Sequence, residues 1–483
     1  AAVTCLRAQP PNIVLIMADD LGWKDVGFNG AEFFETPNLD RLAARATVFT
    51  DAYADGPVCT PTRAALLTGK TPARTRITTA GTHAGLKKIA RNGGIGERHL
   101  PWPAHFPVKP PLVPQGLPAS EKTLAEYLRD AGYVTGFVGK WHLAFDGAPP
   151  EEQGFEFVYA GEDSGWCRYF PPYKPVRFPN PEPGEYLTDR LTREAVGFIE
   201  RAGEPFFLYL AHYAPHTPLE AKQEDVQTFI EKNRENPTDL NLRYAAMIKA
   251  LDDGVGAVVD ALERRGELDD TIVVFWSDNG PVSLKFRYDK EKQRRVVDFR
   301  LTRTTPLRGQ KAWLYEGGIR VPAFILGGPF GKGTSSEPVA TSDLLPTFLD
   351  LAGVKPDDPS AIDGVSLLPL ATGRDLPRDT LYWHYPHHAW PASAIREGDD
   401  KLIHFHGHGS ELYDLKADPG ETTDLAASRP ERAAALEQKL FDYLTEVDAL
   451  LPTPNPAYDP SLDIPEPPPD PETGELCDAA SRG

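Results

Sequence analysis

Residues 58–70 read Val-Cys-Thr-Pro-Thr-Arg-Ala-Ala-Leu-Leu-Thr-Gly-Lys, and Cys59 is the residue in this run with the most chemistry to offer. Pro61 suits a first helical turn, where a missing N–H is no loss. Ala64 to Leu67 propagate the helix and Gly69 can close it. Cys59 is therefore expected just ahead of a helix N-terminus, in its positive field, with Arg63 one turn away. That setting favours an anion at the side chain and a lowered thiol pKa. A cysteine in an arbitrary sequence is more often a small apolar filler, so the reading depends on what else the chain brings to the same place.

Several other segments carry groups that work together. The adjacent acids Asp19 and Asp20 repel each other unless a cation stands between them, and Asp278-Asn279 is a second such pair. Together they offer hard oxygen ligands suited to Ca²⁺ or Mg²⁺. Lys140 and His142 follow Gly139, where a turn would let both reach one site. Ala214-Pro-His216-Thr-Pro218 is a rigid turn presenting an imidazole, and Lys311 lies in the glycine-rich run 309–320. Lysine and histidine are suitable donors for a tetrahedral anion. Alone, each would be an ordinary strand-end turn, surface lysine or core histidine.

Four short apolar runs lead into these groups. Asn12–Met17 runs into Asp19-Asp20, Val134–Val138 into Lys140 and His142, Phe206–Leu210 into His212 and His216, and Thr271–Trp276 into Asp278-Asn279. Continuous apolar runs of this length fit strands covered on both faces. Helical patterns lie between them at Asn38–Ala46, Glu121–Ala131, Leu187–Arg201 and Leu242–Arg265. The alternation predicts an α/β fold with a large, mostly parallel sheet sandwiched by helices. Ligands in such sheets collect at the carboxyl ends of the strands, where all four polar clusters fall.

The pattern changes after residue 375, with short strands at Leu381–His384, Ala394–Arg396, Lys401–His404 and Glu411–Asp414 and a helix at Arg429–Val447. The expected organisation is a catalytic domain over 11–375, a small C-terminal antiparallel sheet with one helix over 376–450, and an acidic, proline-rich tail over 451–483. That tail is expected to be extended or disordered unless it wraps the domain.

The chain of 483 residues has a net charge of −19, which argues against nucleic acid as a partner. The charge is uneven, however. Residues 70–99 hold seven Lys/Arg against Glu97, and residues 282–308 hold nine against Asp289, Glu291 and Asp298. Both stretches follow a candidate motif, which suggests a basic approach for an anionic substrate. No apolar run is long enough to span a membrane. The start, Ala-Ala-Val-Thr-Cys, has no charged n-region or h-region, as expected if the numbering begins after a removed signal peptide or if there never was one. Of the four cysteines, Cys5 and Cys477 would tie the termini if paired, which the sequence alone does not establish.

The Cys-x-Pro-x-Arg run with its following Ala-Ala-Leu-Leu-Thr-Gly resembles the signature of the type I sulfatases, of the alkaline-phosphatase-like superfamily. Thr36–Ala43, Gly139-Lys-Trp-His142, Ala214-Pro-His216, Ser277-Asp-Asn-Gly280 and Gly309-Gln-Lys311 resemble that family's other blocks, in order. The resemblance implies a secreted or periplasmic bacterial carbohydrate sulfatase. It implies that a formylglycine-generating enzyme converts Cys59 to 3-oxoalanine (formylglycine). By the same resemblance Asp19, Asp20, Asp278, Asn279 and residue 59 would bind calcium, with magnesium as the other candidate. Arg63 and Lys140 would hold the formylglycine and the sulfate, His142 would steady the hydrate, and Lys311 and His216 would grip the sulfate near the leaving oxygen.

The implied reaction is attack of the aldehyde hydrate on sulfur through a sulfated hemiacetal. His216, with an ordinary pKa of about 6.5, would protonate the departing alcohol. Specificity for a sulfated oligo- or polysaccharide would lie outside this core, in His83, His99, Trp166, Arg168, His384, His387, His388 and Trp390. Aromatic rings stack on sugars and histidines bind hydroxyls or acidic groups. Two alternatives stay open on sequence: a phosphate mono- or diesterase of the same superfamily, and a non-catalytic glycan-binding pseudosulfatase.

Overall fold

The computed structural model describes residues 10–80, 104–161, 164–176, 178–232, 239–289, 294–387 and 390–462. Its large sheet is built from β1 (Asn12–Ala18), β2 (Thr47–Phe49), β3 (Val134–Gly139), β4 (Phe157–Tyr159), β5 (Phe206–Ala211) and β6 (Thr271–Ser277). After a hairpin, β7 (Leu284–Asp289) with β8 (Arg294–Arg300), the sheet is completed by β9 (Ala323–Leu326) and β10 (Gly333–Ser335). The order across it is β10-β2-β9-β6-β1-β5-β3-β4. The run β6-β1-β5-β3-β4 is parallel throughout, and β9 runs against both of its neighbours.

Helices cover both faces, as the apolar strands require. Along β1, Val14, Ile16 and Ala18 face a core shared with α1 (Pro37–Ala43), α4 (Leu187–Arg201) and α6 (Asp239–Arg265). Ile13, Leu15 and Met17 face the opposite core, shared with α2 (Cys59–Thr68), α3 (Leu124–Asp130) and α7 (Leu344–Ala352). Each Val, Ile, Leu or Met side chain among them, taken out of water, contributes about 1.5–3 kcal/mol. A short helix, α5 (Gln223–Lys232), packs on α6. The helix expected over Leu187–Arg201 has those bounds, whereas α6 begins at Asp239, before Leu242. Helix α3 starts later than expected, because Thr123 and Glu126 form a capping box at its N-terminus.

The C-terminal sheet is antiparallel, β11 (Thr380–Tyr385), β12 (Ala392–Glu397), β13 (Asp400–Phe405) and β14 (Gly409–Asp414), in that order. One face takes Leu436, Leu440 and Leu444 of α8 (Pro430–Glu446). The other, with Trp383, Tyr385, Ala394 and Ile403, packs on Tyr53, Val58, Leu314 and Tyr315. The small sheet is thus seated on the chain entering α2 just before Cys59 and on the segment following Lys311. Buried charge fixes the seat: Lys401 Nζ lies 2.9 Å from both Glu316 and Glu421, all three without solvent exposure. The tail wraps as far as it is described, Thr453–Pro454 pairing with Val108–Lys109.

The first basic stretch is not a free approach surface where it is described. Lys70 pairs with Glu121, Arg74 with Asp363 and Arg76 with Asp448. In the second stretch, Arg308 is buried against the small sheet, donating to the Tyr413 hydroxyl and the Glu421 carbonyl, both at 3.0 Å. Sequence runs of like charge say nothing about such distant acidic partners. No helix among the described residues is long and apolar enough to cross a membrane.

Candidate active site

Strand register brings the four polar clusters level. Met17 lies beside both Ala211 and Trp276, Ala18 beside Ser277, and Gly139 beside Ala211. Asp19, Asp278, His212 and Lys140 are therefore next along four adjacent strands. At Gly139, φ is 115° and a Cβ would sit 1.9 Å from the Ala211 carbonyl oxygen, so only glycine lets the chain turn here. The turn brings Lys140 and His142 to the site together.

Helix α2 supplies the rest from across the strand ends. Cys59 is its first residue, not the one before it, and Val58 is the N-cap. Cys59 Sγ lies 3.4 Å from His142 Nδ1. Arg63 donates to Asp278 Oδ2 from Nε at 3.0 Å and from Nη2 at 2.7 Å, and to the Lys140 carbonyl at 2.8 Å. Lys140 Nζ donates to Asp19 Oδ2 at 2.5 Å, and Lys311 Nζ to Asp20 Oδ1 at 2.6 Å. Asn279 Nδ2 donates to Asp20 Oδ1 at 2.7 Å. His216 Nε2 stands 3.6 Å from Asp20 Oδ2. The Ala312 amide donates to the Pro57 carbonyl at 2.8 Å, joining the Lys311 loop to the chain entering α2.

Asp19 Oδ1, Asp20 Oδ2 and Asn279 Oδ1 are buried and have no hydrogen-bond partner. Ligand atoms of Asp19, Cys59 and Asp278 lie within 4.8 Å of one another, as do those of Asp19, Asp20 and His216. Unpartnered buried oxygens are costly, and this oxygen-rich set fits a hard divalent cation such as Ca²⁺ or Mg²⁺. Three carboxylates here face three cationic side chains. A divalent cation would leave the cluster net positive, which suits an anionic ester.

Burial and the neighbouring Asp278 push the Asp19 carboxyl up to about 7. Burial would raise Asp20 too, but Lys311, His216 and Lys140 outweigh it and hold Asp20 below the usual carboxylate range. Two expectations are corrected. The Cys59 thiol is raised, because burial outweighs Lys140 and Lys311. His216 does not rest near 6.5: burial, with Lys311 and Lys140, pushes it down to about 3. Its Nδ1 lies 2.6 Å from the Thr217 carbonyl, so in the neutral ring Nδ1 carries the proton and Nε2 is an acceptor. His142 is likewise held well below its ordinary value by burial and the surrounding Lys140 and Arg63.

All ten residues expected in the core come together. The specificity candidates divide. Trp166 and Arg168 lie on a loop against the site, since a Cβ on the adjacent Gly165 would sit 2.5 Å from His142 Cε1. His387 is buried, 2.7 Å from the Thr78 hydroxyl. His384 does not face the site. It is buried in the small sheet between Ser393 Oγ and the Leu450 carbonyl. Trp390 packs on His408 and Phe405. His83, His99 and His388 lie outside the described residues, as do Cys5 and Cys477.

Sequence reasoning passed over Tyr209, on β5 beneath Arg63 and Asp278, and Tyr385, the last residue of β11. Tyr385 is buried with Val58 and Leu314 and interacts with Lys311 and Cys59. Nothing in their local sequence distinguishes them from core aromatics. Asp25 was also passed over. Burial lifts its carboxyl to about 6, and it accepts from the Gly22 amide, the Tyr244 hydroxyl and Thr302.

The Sulfatase family profile matches residues 11–354, most of the chain and all of this site. The chain belongs to the sulfatase family. A second profile, for the C-terminal region of N-sulphoglucosamine sulphohydrolase, matches residues 309–449. Arylsulfatase A of Homo sapiens is 34% identical over 89% of this chain and 87% of its own length. N-acetylgalactosamine-6-sulfatase of Mus musculus is 34% identical over 78% of this chain and 69% of its own. Among solved structures, Ps i-CgsB in complex with k-i-k-neocarrahexaose is 31% identical, with a TM-score of 0.73 over 93% of this chain and 95% of that one. This sulfatase is accordingly a sulfuric ester hydrolase with an alkaline-phosphatase-like fold, and the phosphoesterase and non-catalytic alternatives are not favoured.

Proposed function

We propose that this sulfatase releases sulfate from a sulfated carbohydrate, using Cys59 matured to formylglycine and a calcium (or magnesium) ion held by Asp19, Asp20, Asp278 and Asn279. The observation that carries the proposal is the set of unpartnered buried oxygens beside Cys59, ringed by Arg63, Lys140 and Lys311. The matured Cys59 supplies a hydrated aldehyde as nucleophile, and the cation lowers the cost of bringing that oxygen up to an anionic ester.

The chain's own residues do the rest. Arg63 anchors Asp278 and leaves it oriented toward residue 59. Lys140 and Lys311, which here neutralise Asp19 and Asp20, turn to the sulfate oxygens as the charge on those acids is taken up elsewhere. His142 is neutral and within reach of residue 59, so it accepts a proton there. His216, with its proton on Nδ1, orients the substrate by accepting through Nε2 from a hydroxyl next to the ester. Lys311 stands beside it as the group able to stabilise the departing alkoxide.

Carbohydrate as the substrate class draws support from the oligosaccharide in the Ps i-CgsB complex and the sugar in the murine relative's name. We place the enzyme in the periplasm or outside the cell, where polymeric glycans are met, with the formylglycine-generating enzyme a transient partner. The test is the mass of the proteolytic peptide containing Cys59, measured beside sulfate release from glycans. A mass lowered by the thiol-to-aldehyde change in active protein supports the proposal. Full activity with an unmodified thiol overturns it.

A further inference from the structure

We infer that residues 164–169 form a preorganised subsite for the sugar on the leaving-group side, with Trp166 stacking on the ring and Arg168 taking an anionic substituent of the glycan. The inference rests on the carbohydrate reading above. Burial alternates along this segment: Gly165, Cys167 and Tyr169 are buried, whereas Trp166 is 43% exposed and the Arg168 side chain 58%. Side chains two apart in an extended segment share a side and stand about 7 Å apart, roughly the breadth of a pyranose ring and its substituent.

The buried residues fasten the loop to both histidines of the site. Gly165 lies against the His142 ring, leaving no room for a side chain. The Tyr169 hydroxyl donates to the Tyr213 carbonyl at 2.6 Å and the His216 carbonyl at 2.9 Å. The Ser164 hydroxyl donates to the Trp166 carbonyl at 2.6 Å, and Cys167 Sγ to the Tyr173 carbonyl at 2.9 Å. The Tyr169 ring stacks on Tyr186. A loop held this firmly gives up little entropy when a ligand seats on it.

Its two exposed side chains match a charged glycan. The indole offers an apolar face to the C–H face of a sugar. Glu220 accepts from Arg168 Nη2 at 2.5 Å and from the Tyr169 amide at 2.9 Å. That ties down Nη2 of the guanidinium, with its other donors left over for a carboxylate or sulfate.

The test compares kcat/KM for para-nitrophenyl sulfate with that for two oligosaccharides, k-i-k-neocarrahexaose and one ending in N-acetylgalactosamine-6-sulfate. Trp166→Ala should lose at least about tenfold more on an oligosaccharide that the wild type cleaves than on the aryl sulfate, while Trp166→Phe keeps most of the selectivity. Arg168→Ala should weaken the salt dependence of oligosaccharide turnover. Equal losses on both substrate types, or none, overturn the subsite and leave the carbohydrate reading standing. A wild type that cleaves the aryl sulfate but neither oligosaccharide defeats the carbohydrate reading and the subsite with it.

Discussion

Arg63 places two donors on one oxygen of Asp278, at 3.0 and 2.7 Å, from a helix and a strand end that are 215 residues apart in sequence. Both groups are without solvent exposure, so the fork sets the position of α2, and with it Cys59, over the end of β6. A lysine carries the charge but not the fork. Arg63→Lys should lower kcat by about 100-fold, the scale of losing one positioned donor. Arg63→Ala should cost about 3–5 kcal/mol by leaving Asp278 buried and unpaired. Turnover and urea unfolding of the two variants check this.

The unpartnered oxygens of Asp19, Asp20 and Asn279 lead to a prediction that does not depend on turnover. Calcium or magnesium at 100 times its Kd should raise the unfolding free energy by about 2.7 kcal/mol. Thermal melts of chelator-treated protein with and without added metal read this directly. Asp20→Asn and Asp278→Asn should each largely abolish the shift.

Lys401 bridges Glu316 and Glu421 where no water reaches. Glu316 follows the Lys311 loop, and the bridge holds the small sheet against it. Lys401→Met should destabilise the protein by about 3–5 kcal/mol, since two buried carboxylates lose their counter-charge. A triple change that also makes Glu316→Gln and Glu421→Gln should recover part of the loss. Denaturant midpoints decide both.

His384 gives the small sheet an acid sensitivity separate from the catalytic chemistry. Burial pushes it down to about 4 and His406 to about 2; His406 is also opposed by His384 and His404. Both bond Ser393 Oγ, at 2.7 and 2.9 Å. Between pH 6.5 and 4 the unfolded chain binds protons that the folded His384 does not, so stability falls as pH falls through that window. The gap corresponds to about 3 kcal/mol for His384 once pH 4 is reached. His384→Asn should flatten the decline between pH 6.5 and 4 in urea unfolding.

The parallel strands and their polar ends were legible because apolar runs that stop at acids, lysines and histidines carry both fold and site in one local signal. Lys140, His142, His216 and Lys311 sit beside glycines or prolines that announce tight backbone. What escaped notice is non-local. Tyr209 and Tyr385 read as core aromatics, and the Glu316–Lys401–Glu421 bridge joins residues up to 105 apart. The shifts of Cys59 and His216 are non-local for the same reason. Helix field and intrinsic pKa can be read from sequence, but complete burial among Lys140, Lys311 and Asp20 cannot.

The most direct measurement is sulfate release from sulfated oligosaccharides by the wild type and by Cys59→Ala, both produced with a formylglycine-generating enzyme and supplied with calcium. The wild type should release sulfate, lose activity to chelator, and exceed Cys59→Ala by about a thousandfold or more. A Cys59→Ala protein that releases sulfate at the wild-type rate would contradict the proposed chemistry at its root.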